Sequence, residues 1–269
     1  MFLFNKQASH ANTKAWNYKK LILQKMNETR ESANSSNLPL GGSGALLSLL
    51  HLSDPTLPIG GFSHSAGLET YVQQHIVKDK VTAKAFITEM LSRNIQYTDA
   101  AMVSLAFDAA TNKDLQTVLG LDEACTAVKL PAEMRQASKK LGMRLLKIFQ
   151  PLTSSDMINR FTEKVQRHQT NGNYCIAFGL VAHSMHISKQ DALYGFYYNA
   201  AAGFVTNSVK LIPLGQQDGQ EIIFSLLPLM QQLAQQSMQP DKELIGLCCT
   251  GFDIRCMQHE QLYSRLYMS

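Results

Sequence analysis

Apolar residues recur at helical spacing through most of this chain of 269 residues, and that periodicity constrains the fold more than any single motif does. Charged residues stay off the apolar positions, as they do in amphipathic surface helices. One such helix is predicted between Pro131, which a first helical turn tolerates, and Pro151, which lies just beyond the end. The apolar positions of the two clearest segments are Ala83, Phe86, Ile87, Met90 and Leu91, and Met134, Ala137, Leu141, Leu145, Ile148 and Phe149.

Two later segments are apolar or small on every side, which predicts central helices at Tyr174–His183 and Ala192–Leu211. Residues 200–203, Ala-Ala-Ala-Gly, would let a neighbouring helix approach closely, because nothing larger than a methyl group stands there. Helical spacing resumes over Glu221–Gln236, where we expect a kink at Pro228. No strand pair is indicated. The sequence therefore predicts an all-α, bundle-like single domain over 45–269.

Residues 1–44 differ in composition, being rich in Asn, Lys, Ser and Gln. We expect a short helix around Trp16–Met26 and interpret the rest as a flexible N-terminal extension that ends in the linker Gly41-Gly42-Ser43-Gly44. This linker is not a phosphate-binding loop, because no strand pattern precedes it and no Gly-Lys-Ser/Thr follows it.

Charged residues make up only 17% of the chain and the net charge is +4, which argues against nucleic-acid binding and predicts surface covered by partners. The five cysteines form no Cys-x-x-Cys, and the apolar start Met1–Phe4 is too short for a signal peptide. No segment reaches the length of a membrane span. We therefore expect a soluble cytoplasmic protein with free thiols.

The stretch Leu57–Glu69 contains the strongest backbone signals in the chain. Pro58 fixes one φ angle while Gly60 and Gly61 free the next two, so a sharp reversal is predicted there. Ser63 or Ser65 can then cap the helix that follows.

Candidate catalytic groups are weak in this sequence. In Ser63-His64-Ser65, neighbouring helical residues point apart and no acid is placed to orient His64. Glu69 could pair with Glu89 or Asp99 only if folding brought them together. The residues alone therefore specify no enzyme.

Two groups of side chains could ligate a metal. His183 and His186 share a helix face but lack a neighbouring carboxylate, so an exposed pair at a helix end is the competing interpretation. The second group matches no closed zinc motif, and buried thiols are its competing interpretation. Its members are Cys248, Cys249, Cys256 and His259.

Three stretches, taken in order, resemble the family of the urease accessory protein UreF. They are Leu57–Glu69 (LPIGGFSHSAGLE), Leu211–Gln220 (LIPLGQQDGQ) and His259–Ser269 (HEQLYSRLYMS). Asn173-Tyr174 and the Pro131–Phe149 helix also look like parts of that family. The resemblance covers residues 45–269 and leaves the first forty or so unexplained.

The resemblance implies an all-helical, dimeric, non-enzymatic chaperone subunit that binds UreD (UreH in some systems) and recruits the GTPase UreG. Together they would deliver nickel to apo-urease, so this chain itself would bind no cofactor and would contact neither nucleic acid nor membrane. By resemblance the signature turn comprises Pro58, Gly60, Gly61, Phe62, Gly67 and Glu69; the loop Gln216, Asp218 and Gln220; and the partner-binding tail His259, Glu260, Tyr263, Ser264, Arg265, Leu266 and Ser269.

Within the tail, Arg265 is the leading candidate, because a guanidinium offers a rigid donor fork to carboxylates and carbonyls across an interface. Tyr267 stands where the family commonly has Phe, and Cys248, Cys249 and Cys256 lie outside the family pattern. The alternative function is a helical nickel or zinc carrier, or a metallo-enzyme, that uses the histidine pair and these cysteines.

Overall fold

The computed structural model describes the backbone of residues 42–268 and the side chains of residues 44–268. Within that range the regular structure is helical and contains no strand, so the all-α prediction is confirmed. The helix expected at Trp16–Met26 and the last tail residue, Ser269, lie outside the described residues.

The α-helices pack around two central members, α8 and α9. Short 3-10 turns occur at Gly61–Ser63, Gln150–Leu152 and Lys242–Leu244. A π-helix, Met90–Ala100, joins α3 to α4, so that residues 80–111 are continuously helical. In chain order the α-helices are α1 (Gly42–Leu52), α2 (Leu68–Gln73), α3 (Lys80–Glu89), α4 (Ala101–Thr111), α5 (Leu115–Val128), α6 (Ala132–Phe149), α7 (Asp156–Gln166), α8 (Tyr174–Ser184), α9 (Lys189–Leu211), α10 (Gln216–Ser237) and α11 (Thr250–His259).

Side-chain caps define where several of these helices begin. Asp79 accepts a hydrogen bond from the Thr82 amide (2.8 Å), and Ser188 accepts one from the Asp191 amide (3.0 Å). Such acceptors satisfy N–H groups that have no partner within the helix. The Ser188 cap starts α9 at Lys189, three residues before the predicted start at Ala192.

Burial of α8 on all sides confirms the prediction that it is central: Cys175 through Ala182 are all buried. A Cβ at Gly179 would lie 2.7 Å from the Val103 carbonyl of α4, so glycine permits that close approach. The predicted close approach at Gly203 is wrong, because Gly203 is exposed and a side chain there would meet no atom within 4 Å.

Two predicted loops are in fact helical. Gly42 to Gly44 form the first turn of α1 instead of ending a linker. The predicted loop with Gln216, Asp218 and Gln220 is the start of α10, because the Asp218 carboxylate accepts a hydrogen bond from the Gly215 amide (3.0 Å) and caps the helix. This helix continues through Pro228 to Ser237.

The last helix, α11, packs against α2 and α6. It returns the C-terminal end of the chain to the turn that precedes α2. The candidate site is built at this junction.

Candidate functional site

The signature turn depends on two glycines with left-handed backbone angles, Gly60 (φ 84°) and Gly67 (φ 79°). A Cβ at Gly60 would overlap the Arg144 guanidinium, which donates a hydrogen bond to the Ile59 carbonyl (2.9 Å). The prediction that Gly61 also needs special angles is wrong: it begins a 3-10 turn, and a side chain there would meet no atom within 4 Å.

Of the two predicted caps, only Ser65 contacts the following helix, through a long hydrogen bond from the Glu69 amide (3.4 Å). Ser63 instead donates its hydroxyl to the Gly60 carbonyl (2.8 Å) and stabilises the turn. His64 is half-buried, and burial, with the positive charges of Lys140 and Arg144 adding to it, lowers its pKa.

Glu69 is the buried centre of the site, with only 4% of its surface exposed. Its carboxylate accepts hydrogen bonds from the backbone amides of Leu266 (2.7 Å) and Tyr267 (3.1 Å). The carboxylate of Glu69 therefore bonds to the tail, and its pairing with Glu89 or Asp99, which the sequence offers no reason to expect, is not seen among these contacts.

His259 joins the buried Glu69 to a second carboxylate. Its Nε2 lies 3.1 Å from Glu69 Oε2, and its Nδ1 lies 2.7 Å from Glu133 Oε2. Arg265 donates to the other oxygen of Glu133 (2.6 Å). We name these four residues the tail clamp.

Both ring nitrogens of His259 are engaged in the tail clamp. Each ring nitrogen faces a carboxylate oxygen, and an ionised carboxylate can only accept hydrogen bonds. The Arg265 guanidinium adds a charged donor to Glu133, so that this carboxylate is bonded through both of its oxygens.

The rest of the tail is fixed along its backbone. The Met268 amide donates to the Ser63 carbonyl (2.9 Å), and the Gln73 side chain donates to the Ser264 carbonyl (3.1 Å). Tyr267 buries its ring, and burial followed by the nearby Glu69 charge raises the pKa of its hydroxyl.

Most of the other tail side chains point to solvent. Tyr263 is fully exposed, and Leu266 is 67% exposed although its amide is bonded to Glu69. Glu260 and Ser264 are also exposed. Within the described residues, then, Arg265 pairs with a carboxylate of its own chain, where the resemblance had suggested a partner's.

Glu133 is the functional candidate that the sequence did not reveal. It lies on α6, 126 positions before His259, and its local pattern is that of an ordinary acidic residue in a first helical turn. Only the path of α11 brings the two together.

The predicted loop residues Gln216, Asp218 and Gln220 take no part in the tail clamp contacts described above. Asp218 pairs with Lys80 (3.0 Å), a residue of α3, and Lys80 also pairs with Glu221. Gln216 and Gln220 are exposed at the start of α10.

The predicted metal ligands do not converge. Helix α8 ends at Ser184, and His186 lies beyond it with φ 57°, so the prediction of a shared helix face with His183 is wrong. The His183 ring packs edge-on against Phe107 (5.3 Å), and its pKa is lowered by burial and by His186.

The cysteine and histidine group is dispersed as well. Cys256 is buried and Cys248 is exposed, while His259 is held by two carboxylates. Between residues 42 and 268, no three His, Cys, Asp or Glu side chains are arranged to hold a metal ion. Over the same range, no helix is long and apolar enough to cross a membrane.

Comparison with known proteins identifies the family of this chain. The UreF family model matches residues 77–227. The chain is 48% identical over 226 residues to the urease accessory protein UreF of Actinobacillus pleuropneumoniae, covering 84% of this chain and 100% of that protein.

Two further relatives carry the same name. The Haemophilus influenzae (strain ATCC 51907 / DSM 11121 / KW20 / Rd) protein is 46% identical over 237 residues, covering 88% of this chain and 100% of its own length. That of Bacillus sp. (strain TB-90) is 32% identical over 224 residues, covering 83% and 99%. With a family model that spans more than half of its residues and relatives matched over nearly their whole lengths, this chain belongs to the UreF family of urease accessory proteins.

Proposed function

We propose that this chain is a non-enzymatic scaffold that binds UreD (UreH) and the GTPase UreG and thereby supports nickel insertion into apo-urease. It acts as a homodimer in the cytoplasm and binds neither nickel nor GTP itself. The observation that carries the proposal is the tail clamp, which fixes the C-terminal tail onto the signature turn and makes them one continuous surface.

That surface has the composition of a protein interface. Phe62, Tyr263, Leu266 and Met268 are large apolar side chains that are more than half exposed. The backbone amides of Leu266 and Met268 are hydrogen-bonded to Glu69 and to the Ser63 carbonyl. A side chain held in place before binding loses less conformational entropy when a partner covers it. Exposed aromatic anchors on a fixed backbone are the usual centres of binding energy.

The clamp also explains how Arg265 could serve binding without touching a partner. Its guanidinium neutralises Glu133, which in turn holds His259. Loss of Arg265 would remove the cation paired with Glu133 and loosen the tail that carries Tyr263 and Leu266. Arg265 is thus proposed as a positioning residue of the binding surface.

The test is co-purification of the full chain with UreD and UreG, followed by urease activation with nickel and GTP. We expect Tyr263→Ala, Leu266→Ala and Arg265→Ala to reduce recovery of the complex while circular dichroism stays helical. Phe224→Ala, on an apolar residue of α10 that is 75% exposed, is the matched control and should bind normally.

Undiminished recovery of both partners with all three tail variants would remove the tail from the interface. Nickel titration tests the alternative of a metal carrier. Stoichiometric binding that is lost on changing His183, His186 or the cysteines would favour the carrier over the scaffold.

A further inference from the structure

Two buried thiols face each other between α5 and α8. The Sγ atoms of Cys125 and Cys175 lie 3.3 Å apart, and the two residues are 1% and 0% exposed. This contact is shorter than an ordinary sulfur–sulfur packing distance because one thiol hydrogen-bonds to the other.

A network of hydrogen bonds holds this contact in register. Asp122, one turn before Cys125, accepts from the backbone amides of Gly172 (2.8 Å) and Asn173 (2.8 Å). The Asn173 side chain donates to Asp122 (2.8 Å) and to Thr126 (2.8 Å), the residue after Cys125. These bonds fix α5 against the start of α8 on both sides of the thiol pair.

The surroundings of the pair favour the protonated form of the Cys175 thiol. The hydrogen bond with Cys125 and burial raise the pKa of the Cys175 thiol. Lys129, which pairs with Asp99 (2.7 Å), offers a positive charge to both sulfurs and partly opposes that shift. Both cysteines are free thiols in the structure.

We propose that Cys125 and Cys175 are a modification site at which a peroxide forms a reversible intrachain disulfide. To form the bond, the sulfurs must move closer by about 1.2 Å, from 3.3 Å to the bonded separation. Glu123, Ala124 and Ala127 on the outer face of α5 are exposed, so Cys125 belongs to a helix that has one face at the surface.

The chemistry balances with one peroxide for each pair. The thiolate of one cysteine attacks a peroxide oxygen, the O–O bond breaks, and a sulfenic acid and one water form. The other thiol then attacks that sulfur, the S–S bond forms, and the hydroxyl leaves as a second water. The two sulfurs together lose two electrons and the peroxide gains them.

The disulfide would join residues fifty positions apart and enclose α6 and α7. Closing such a long loop stabilises the native state, chiefly by restricting the unfolded chain. Because α6 carries Glu133, oxidation would also stabilise the helix on which the tail clamp rests.

The experiment treats the folded full chain with hydrogen peroxide in a Cys248→Ser/Cys249→Ser background, which removes the two cysteines nearest the surface. Trypsin then gives peptides 114–129 and 168–189, each with one cysteine of the pair. We expect them to appear as one linked species that is two hydrogens lighter than their sum and that a reductant separates. The melting temperature should rise by roughly 5 °C or more.

Cys125→Ala and Cys175→Ala should abolish both the linked species and the rise in melting temperature, whereas Cys256→Ala, at another buried thiol, should preserve both. The linked peptides are sought in the background protein, which still contains both Cys125 and Cys175. The test therefore does not depend on whether Cys125→Ala or Cys175→Ala folds. Recovery of Cys125 and Cys175 as separate thiols, or as separate sulfinic acids, would overturn the proposal.

Discussion

Replacing Glu69 with Gln should release the tail while the helical core stays folded. The change keeps the shape of the side chain, but an amide has one oxygen and adds two N–H donors where three donors already point: the amides of Leu266 and Tyr267 and the ring of His259. Placed where Oε2 stands, the Gln oxygen can still accept from Tyr267 and His259 through its two lone pairs, but without a full charge, and the Leu266 amide then faces an NH2 group and has no acceptor.

The size of the effect follows from that count. A hydrogen bond to a charged group contributes roughly 1.5–3 kcal/mol and one between neutral groups roughly 0.5–1.5 kcal/mol, so losing one bond and weakening two destabilises the docked tail by about 3 kcal/mol at the low end. A free-energy change of that size corresponds to roughly a 150-fold larger population of the undocked tail. The core contacts of α8 and α9 are untouched, so the global unfolding midpoint should move less than the local equilibrium does.

Native-state hydrogen exchange followed by mass spectrometry measures this directly. Peptides that contain the amides of Leu266 and Tyr267 should exchange on the order of 100-fold faster in Glu69→Gln, while peptides of α8 keep their protection. Glu260→Gln makes the same chemical change on an exposed tail carboxylate and should leave exchange unaltered. Equal protection of the tail in both variants would refute the role assigned to Glu69.

Three more predictions concern stability. Gly67 has φ 79°, and a Cβ there would lie against Cys256 Sγ, so Gly67→Ala should lower the free energy of unfolding by about 1–3 kcal/mol in urea titration. Gly61→Ala should be nearly neutral, because a Cβ there would meet no atom within 4 Å. Equal effects at both positions would contradict the geometry of the turn. Burial lowers the pKa of His64 from its ordinary 6.5, so the unfolded chain takes up a proton more readily and the free energy of unfolding falls as the pH drops through that region. His64→Gln should therefore show a flatter profile of stability against pH between pH 7 and 5. An unchanged slope would count against this. Lys129→Met should lower the free energy of unfolding by about 3–5 kcal/mol, because Asp99 is left as an uncompensated charge in a mostly buried site. Adding Asp99→Leu should recover much of that loss in the same titration. No recovery would show that the loss is one of packing.

The sequence predicts helices well here because the signal is local. Apolar spacing over Pro131–Phe149 and the all-apolar stretch from Tyr174 correspond to α6 and α8. Ends are predicted less well, because they depend on single side chains. Gly215 and the glutamines after it suggest a loop, yet the Asp218 cap starts α10 there.

The site could be predicted only in part. Its turn and tail are recognisable as stretches, and the structure brings those two together. Their connection was unpredictable, because Glu69 and His259 are 190 positions apart and Glu133 carries no distinguishing local pattern. The remaining stretch, Leu211–Gln220, shares the family resemblance, but its Asp218 pairs with Lys80 instead.

The separation of 190 positions between Glu69 and His259 also bears on the order in which the chain is made. At about 5–20 residues per second, Glu69 leaves the ribosome roughly 10–40 seconds before the residues that satisfy its carboxylate have been synthesised. Until then α2 has no complete partner set, and the surface made by the turn and tail cannot exist. A nascent or prematurely ended chain is thereby kept from presenting this surface, and only a chain synthesised through Tyr267 can close it.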